Sequence, residues 1–200
     1  MEDEFDLEER QLLYQLKTLW INEKFSPELL FYDQVLVDSI LEKIQLKENI
    51  CAENNDNIEH QFMANIYEME IERLKYMVKM YLRARLQKIE KYYSFILQND
   101  QIISRLSDNE KEYCQKFSEM TEDHLKQSFL NGLPKSFKNN DKENVNQPNT
   151  STFVFCQSTD DLGDVQVEDD QIVDFKKGGI YFLRYEPIKF LVEQSKIKLI

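Results

Sequence analysis

Chemistry on phosphates would need clustered glycines, because only a bare backbone lets several N–H groups approach an anion. Of the four glycines, Gly132, Gly163, Gly178 and Gly179, none stands in GxGxxG or GxxxxGK[ST] spacing, which excludes a nucleotide loop of either kind. His60 and His124 lie in polar contexts, with no metal-ligand spacing to each other or to a cysteine, and read as solvent-facing helix residues. There is no GxSxG elbow. The run Asp160-Asp161-Leu162-Gly163-Asp164 lacks the alternating ligands and final glutamate of a calcium loop and reads as a turn between strands. Cys51, Cys114 and Cys156 are odd in number and far apart, the usage of reduced structural thiols in an intracellular protein. These residues nominate no catalyst, metal or cofactor.

Charge narrows the remaining classes. A formal net charge of −12 disfavours non-specific nucleic-acid binding, which draws its affinity from cations set against phosphates. One segment departs from this balance. Arg73, Lys75, Lys79, Arg83, Arg85, Lys88 and Lys91 crowd a stretch that also holds Glu68, Glu70, Glu72 and Glu90. Two readings compete, a nucleic-acid contact and ion pairing within or between chains, with long cationic stems covering apolar surface. The aromatics here follow core spacing and not that of a base-stacking platform, so pairing is preferred. No run of about 18 apolar residues is present, so no membrane span is expected. The opening Met1-Glu2-Asp3-Glu4 is the opposite of a signal peptide's basic start.

The elements that must carry these residues are mostly helical, since Gly and Pro number only 4 each. Leu12, Leu13, Leu16, Leu19 and Trp20 recur at helical spacing from about Leu7 to Asn22. Ser26-Pro27-Glu28 then reads as N-cap, N1 and a favourably placed acid, with Phe25 and Leu30 as a hydrophobic staple. That second helix should reach about Ile50 and bury Leu29, Leu36, Ile40, Leu41 and Ile44. After a polar break at Glu53 to Asn57, a single long helix is expected from about Glu59 to Leu97. It carries two apolar sets: Met63, Ile66, Leu74, Met77, Tyr81 and Ile89, flanked by Phe62, Met69, Tyr76 and Met80. Two faces imply packing on two sides, the second against another chain.

A fourth helix opens with the capping box Ser107-Asp108-Asn109-Glu110, uses Phe117, Met120, Leu125 and Phe129 as apolar positions, and stops at Asn131-Gly132 before Pro134. A polar linker follows, containing Lys142-Glu143-Asn144, a tripeptide that matches a degradation signal too briefly to carry weight. Short β-type runs at Phe153 to Phe155, Val165 to Val167, Ile172 to Phe175 and Ile180 to Leu183 come next. A helix near Pro187 to Glu193 and a strand at Ile197 to Ile200 close the chain, its apolar end expected to be tucked in. The fold class is mainly α, a helical domain of about four helices with one long central helix at 1–133. A flexible linker at 134–151 leads to a small β-rich domain at 152–200, which at about fifty residues is marginal in size and expected to lean on neighbours.

Specific strings sharpen this. Trp20-Ile21-Asn22-Glu23-Lys24-Phe25-Ser26-Pro27-Glu28-Leu29-Leu30 resembles the W-x-N-E-K-F-x-P-E-L-L run of the Sld-five family of GINS subunits. Met69-Glu70-Ile71-Glu72-Arg73, Tyr81-Leu82-Arg83-Ala84-Arg85-Leu86 and Lys88-Ile89-Glu90-Lys91 supply a second match. Lys177-Gly178-Gly179, Leu183-Arg184-Tyr185 and Lys198-Leu199-Ile200 resemble that family's ending. The three blocks keep the family's order across nearly the whole chain.

The resemblance implies a non-catalytic scaffold subunit of the GINS tetramer, paired with Psf-one through its helical domain and joined to two further subunits. It implies a place beside the MCM hexamer and the Cdc-forty-five protein in the nuclear replicative helicase. Trp20, Phe25, Pro27, Leu29 and Leu30 would be structural anchors. The long helix would be the core of the pairing, with Arg73, Tyr76, Tyr81, Leu82, Leu86 and Ile89 as partner-interface or structural residues and Arg83, Arg85 and Lys88 as interface or network residues and not DNA readers. Leu199 and Ile200 would complete the tail. The acidic N-terminus, with Phe5, Leu7 and Leu12, could be a short motif for a replisome hub protein. The alternatives are a basic-helix nucleic-acid-binding module and an unrelated helical adaptor.

Overall fold

The computed structural model describes residues 2–52, 58–128, 130–132, 145–168 and 171–200. The expected break at Glu53–Asn57, the apolar position Phe129, and most of the linker with Lys142-Glu143-Asn144 lie outside the described residues. Two compact units divide the chain, Met1–Lys24 with Asp33–Ala84, and Phe25–Tyr32 with Arg85–Ile200.

The first unit contains helix α1 (Glu2–Phe25) up to Lys24, helix α2 (Gln34–Ala52), and the first two thirds of helix α3 (Ile58–Leu97). Helix α3 has 40 residues, about 60 Å at 1.5 Å per residue. Its core forms where three helical stripes meet: Leu16 of α1, Leu36, Ile40 and Ile44 of α2, and Ile71, Leu74, Met77 and Val78 of α3. Trp20 stands edge-on to Tyr76 with ring centroids 6.2 Å apart. Lys47–Glu70 at 2.6 Å and Lys75–Glu48 at 2.7 Å pair α2 with α3, so part of the basic stretch is spent on neighbouring acids.

The second helix does not begin at Ser26. Residues 26–33 are non-helical and α2 starts at Gln34, with the Leu36 N–H donating to Asp33 Oδ1 at 3.0 Å, so Asp33 is the N-cap. The reason is tertiary. The backbone carbonyls of Glu28, Leu29 and Leu30 accept bonds from Lys88, Arg105 and Arg85, which a helix would have claimed for its own N–H groups. Ser26 donates its hydroxyl to Glu28 O at 2.7 Å instead of capping a helix. Leu41, expected in the core, is exposed, because the buried line of α2 runs through Leu36, Val37, Ile40 and Ile44.

The second unit opens with this strap, residues 25–32, and continues with the last third of α3, the one-turn helix α4 (Asp100–Ile103) and helix α5 (Asp108–Ser128). Helix α4 was not expected. Leu29, Ile89, Tyr92, Ile96, Leu106 and Cys114 make its helical core. The capping box is formed as expected: Ser107 N–H donates to Glu110 Oε2 at 3.0 Å, and Glu110 N–H to Ser107 Oγ at 3.3 Å. Met120 of α5 is exposed.

The C-terminal module has β1 (Phe153–Ser158) between β4 (Ile180–Arg184) and β5 (Ile197–Leu199), antiparallel to both, with β2 (Gly163–Glu168) and β3 (Gln171–Phe175) as a separate hairpin. Val154 faces Leu183 and Cys156 faces Tyr181 across β1 and β4. Gly178 takes φ 78 in the turn before β4, where its N–H donates to Ser158 O at 2.9 Å; a side chain would be strained there. Helix α6 (Tyr185–Glu193) follows β4 directly and buries Ile188, Leu191 and Val192 against Cys156, Phe175 and Ile197. The end of the chain is half tucked in: Leu199 is buried, whereas Ile200 is exposed.

Asp33→Ala should cost about 1 kcal/mol in urea unfolding, through loss of the cap. All three cysteines are free; Cys114 and Cys156 are buried and Cys51 partly so. Burial pushes the Cys156 thiol up to about 11. A thiol reagent at pH 8 should therefore modify Cys51 first, and Cys114 and Cys156 only as the chain unfolds, as mass spectrometry would read.

Candidate partner-binding face and its buried support

Helix α3 does two kinds of work along its length. In the first unit, Ile58, Phe62, Ile66, Met69 and Tyr76 follow one another at spacings of four, four, three and seven, which keeps them on one helical stripe. All are exposed, Phe62 by 65% and Met69 by 74%. Arg73 lies on the same stripe and is exposed, with the part-buried Met80 a turn beyond Tyr76. Of the two apolar sets expected on this helix, Leu74, Met77, Tyr81 and Ile89 are buried, whereas Met63, Ile66, Phe62, Met69 and Tyr76 are exposed. A contiguous apolar stripe in water is the kind of surface that a partner covers. Arg83 is also exposed, and Leu82 is half-buried.

In the second unit the helix becomes an anchor. Arg85 is 0% exposed and all three of its guanidinium nitrogens donate hydrogen bonds. Nε and Nη2 donate to the two oxygens of Glu110 at 2.7 and 3.0 Å, a forked pair. Nη1 donates to Leu30 O at 2.8 Å and Nη2 to Arg105 O at 3.0 Å. The Tyr32 ring lies 5.2 Å from its Cζ. One turn on, Lys88 donates to Ser26 Oγ at 2.7 Å and Glu28 O at 2.8 Å. Arg105 completes the set with Leu29 O at 2.9 Å, its guanidinium over the Phe31 ring at 4.8 Å. Three successive strap carbonyls are thus each held by a different cation.

This placement shows what part of the basic stretch is paired with. Two of its seven cations, Arg85 and Lys88, are committed to backbone carbonyls and the Glu110 carboxylate inside the fold. Among the described residues, no group of three or more His, Cys, Asp or Glu could hold a metal ion, and His60 and His124 are exposed.

The expected site residues fall into three places. Pro27, Leu29, Leu30, Arg85, Leu86, Lys88 and Ile89 lie in the second unit, with Phe25, which is exposed at the strap's start. Trp20, Arg73, Tyr76, Tyr81, Leu82 and Arg83 belong to the first unit, and Leu199 and Ile200 to the C-terminal module. Arg105 was not singled out, Glu28 was read only as an acid at a helix start, and Glu110 was read only as a cap. A glutamate in a capping box gives no sign that its other oxygen faces an arginine 25 residues earlier.

Residues 39–129 match the model of the GINS complex protein helical bundle domain, and residues 148–200 match the DNA replication complex GINS protein SLD5 C-terminus. The chain belongs to the SLD5 family of GINS proteins. It is 50% identical over 197 residues to the DNA replication complex GINS protein SLD5 of Dictyostelium discoideum, covering 96% of this chain and 93% of that one. It is 31% identical to that of Arabidopsis thaliana, over 92% of this chain and 89% of the relative. The Xenopus laevis protein is 31% identical, over 100% of this chain and 94% of its own length. As an SLD5-family chain it is a GINS subunit of DNA replication, with the mainly helical body and small C-terminal sheet described above. The strap precedes both matched regions, yet its carbonyls are held by Arg85, Lys88 and Arg105 from within the first.

Arg85→Met should destabilise the chain by about 3–5 kcal/mol, because it leaves the Glu110 carboxylate buried without its partner. Arg85→Lys should recover little, since one ammonium cannot serve a forked pair and two carbonyls together. Denaturant melts of the three proteins test both statements.

Proposed function

We propose that this chain is a non-catalytic scaffold subunit of the GINS tetramer and works through assembly. The supporting observation is the exposed stripe Ile58, Phe62, Ile66, Met69 and Tyr76 on a chain of the SLD5 family. In this reading the stripe is the face that meets another subunit, Psf-one first, while Leu16, Leu74, Met77 and Tyr81 stiffen the helix from behind. Residues 1–133 form the assembling domain, 134–151 the linker and 152–200 the β-rich domain.

The assembled tetramer joins the MCM hexamer and the Cdc-forty-five protein in the replicative helicase, in the nucleus. The chain supplies position to that machine and no active site. The acidic N-terminus, with Phe5, Leu7 and Leu12, offers a hub protein a short amphipathic motif. Arg83 and Arg73 contribute charge at the interface, with no sequence-specific nucleic-acid contact.

Co-expression with the three other GINS subunits, with mass read by light scattering, should give one species holding one copy of each. Phe62→Glu combined with Met69→Glu should weaken incorporation by about 2 kcal/mol or more, roughly thirtyfold, while leaving the melt of the chain unchanged. A chain that stays monomeric beside those partners overturns the reading, and full incorporation of the double variant removes the stripe from the interface.

A further inference from the structure

Within the second unit, two separate apolar cores are joined by charge. The helical core around Leu29, Ile89 and Ile96 shares no residue with the C-terminal core around Cys156, Tyr185 and Ile188. Between them lies Glu28 of the strap, 8% exposed. Its carboxylate accepts the Tyr185 hydroxyl at 3.1 Å and the Lys189 ammonium at 2.7 Å, both donors from α6. From the other side Arg105 approaches Glu28 Oε2 at 3.3 Å and reaches Glu193 Oε1 at 3.4 Å. Two carboxylates and two cations close a neutral cluster over a fully buried phenol.

We propose that Glu28 is the latch that docks the C-terminal module, so that one strap carboxylate decides whether the module is held or released. The charges make the docked state conditional. With Glu28 ionised, Lys189 and Arg105 share one anion. Without it Lys189 loses its carboxylate, Arg105 keeps only that of Glu193, and the buried phenol loses the oxygen that accepts its hydrogen bond. Release relieves both faults, because Lys189 and Tyr185 then reach water. Release does not dismantle either side. The module keeps its own core of eleven buried residues, and the strap keeps its carbonyl bonds to Arg85, Lys88 and Arg105, none of which uses the Glu28 carboxylate. Helix α6 therefore does two things: Ile188, Leu191 and Val192 pack inward on the module, while Tyr185 and Lys189 fasten it.

The inference concerns the chain's own fold and does not rest on the tetramer. Amide ¹⁵N relaxation on the full chain, alone or co-expressed, tests it through an internal ratio, module amides of 153–199 against α5 amides in the same particle. In the native chain the two sets should report one tumbling time. In Glu28→Gln the module's apparent time should fall by about half while its strand shifts persist, the signature of a folded body on a tether. Lys189→Ala, which leaves the strap untouched, should do the same. Equal times in both variants, or separate tumbling already in the native chain, overturn the proposal, as does an unfolded module in Lys189→Ala.

Discussion

The helical part of the second unit is organised around three successive backbone carbonyls, those of Glu28, Leu29 and Leu30, each held by a cation from elsewhere in the chain. A strap without regular structure carries polar groups that no ladder satisfies, and burying them unpaired would be costly. Lys88, Arg105 and Arg85 remove that cost, and Glu110 in turn neutralises Arg85 with both its oxygens. Leu29 and Leu30 can then be buried because the backbone that carries them is already satisfied. The apolar packing is conditional on the polar network, and not the reverse.

Helical geometry lets α3 serve that network and carry an exposed apolar stripe at once. Arg83 and Arg85 are two residues apart, about 200° around the axis at 100° per residue, so one faces solvent and the other the interior. The same rule separates Tyr76, exposed, from Met77 and Val78, buried. A helix with two apolar faces needs two partners. One is supplied by α1 and α2 through Leu16, Leu36 and Ile40, and the stripe through Phe62 and Met69 is exposed.

What could be read from sequence follows the range of the interaction involved. The capping box at Ser107 and Glu110, the Gly178 turn and α6 are local, set by residues within a few positions of one another, and they formed as read; the five strands also formed as read, from their local residue pattern, although β1 pairs with strands far along the chain. So did the long helix, whose unbroken spacing leaves no other element. Ser26-Pro27-Glu28 carried equally good local signals for a helix start and was overruled, because its carbonyls are claimed from 55 to 76 residues away. Asp33 took over the cap seven residues later. The blocks Trp20 to Leu30, Tyr81 to Leu86 and Lys88 to Lys91 stood out as strings, yet nothing in them says that Leu30 and Glu28 are bonded to Arg85 and Lys88.

Arg105 shows why that gap is physical. In sequence it sits between the one-turn α4 and the long α5, just ahead of a capping box that does not use it. In the fold it holds Leu29 O, approaches Glu28 and reaches Glu193, and its backbone carbonyl accepts both the Tyr32 N–H and Arg85 Nη2. A planar guanidinium can do this because its donors point in fixed, divergent directions, so one residue fastens several chain segments that share no local register. A lysine at the same place would bring one compact charge and lose the geometry. Residues of this kind leave no periodicity, and they are found only by asking, for each buried carbonyl outside a helix or a ladder, which donor reaches it.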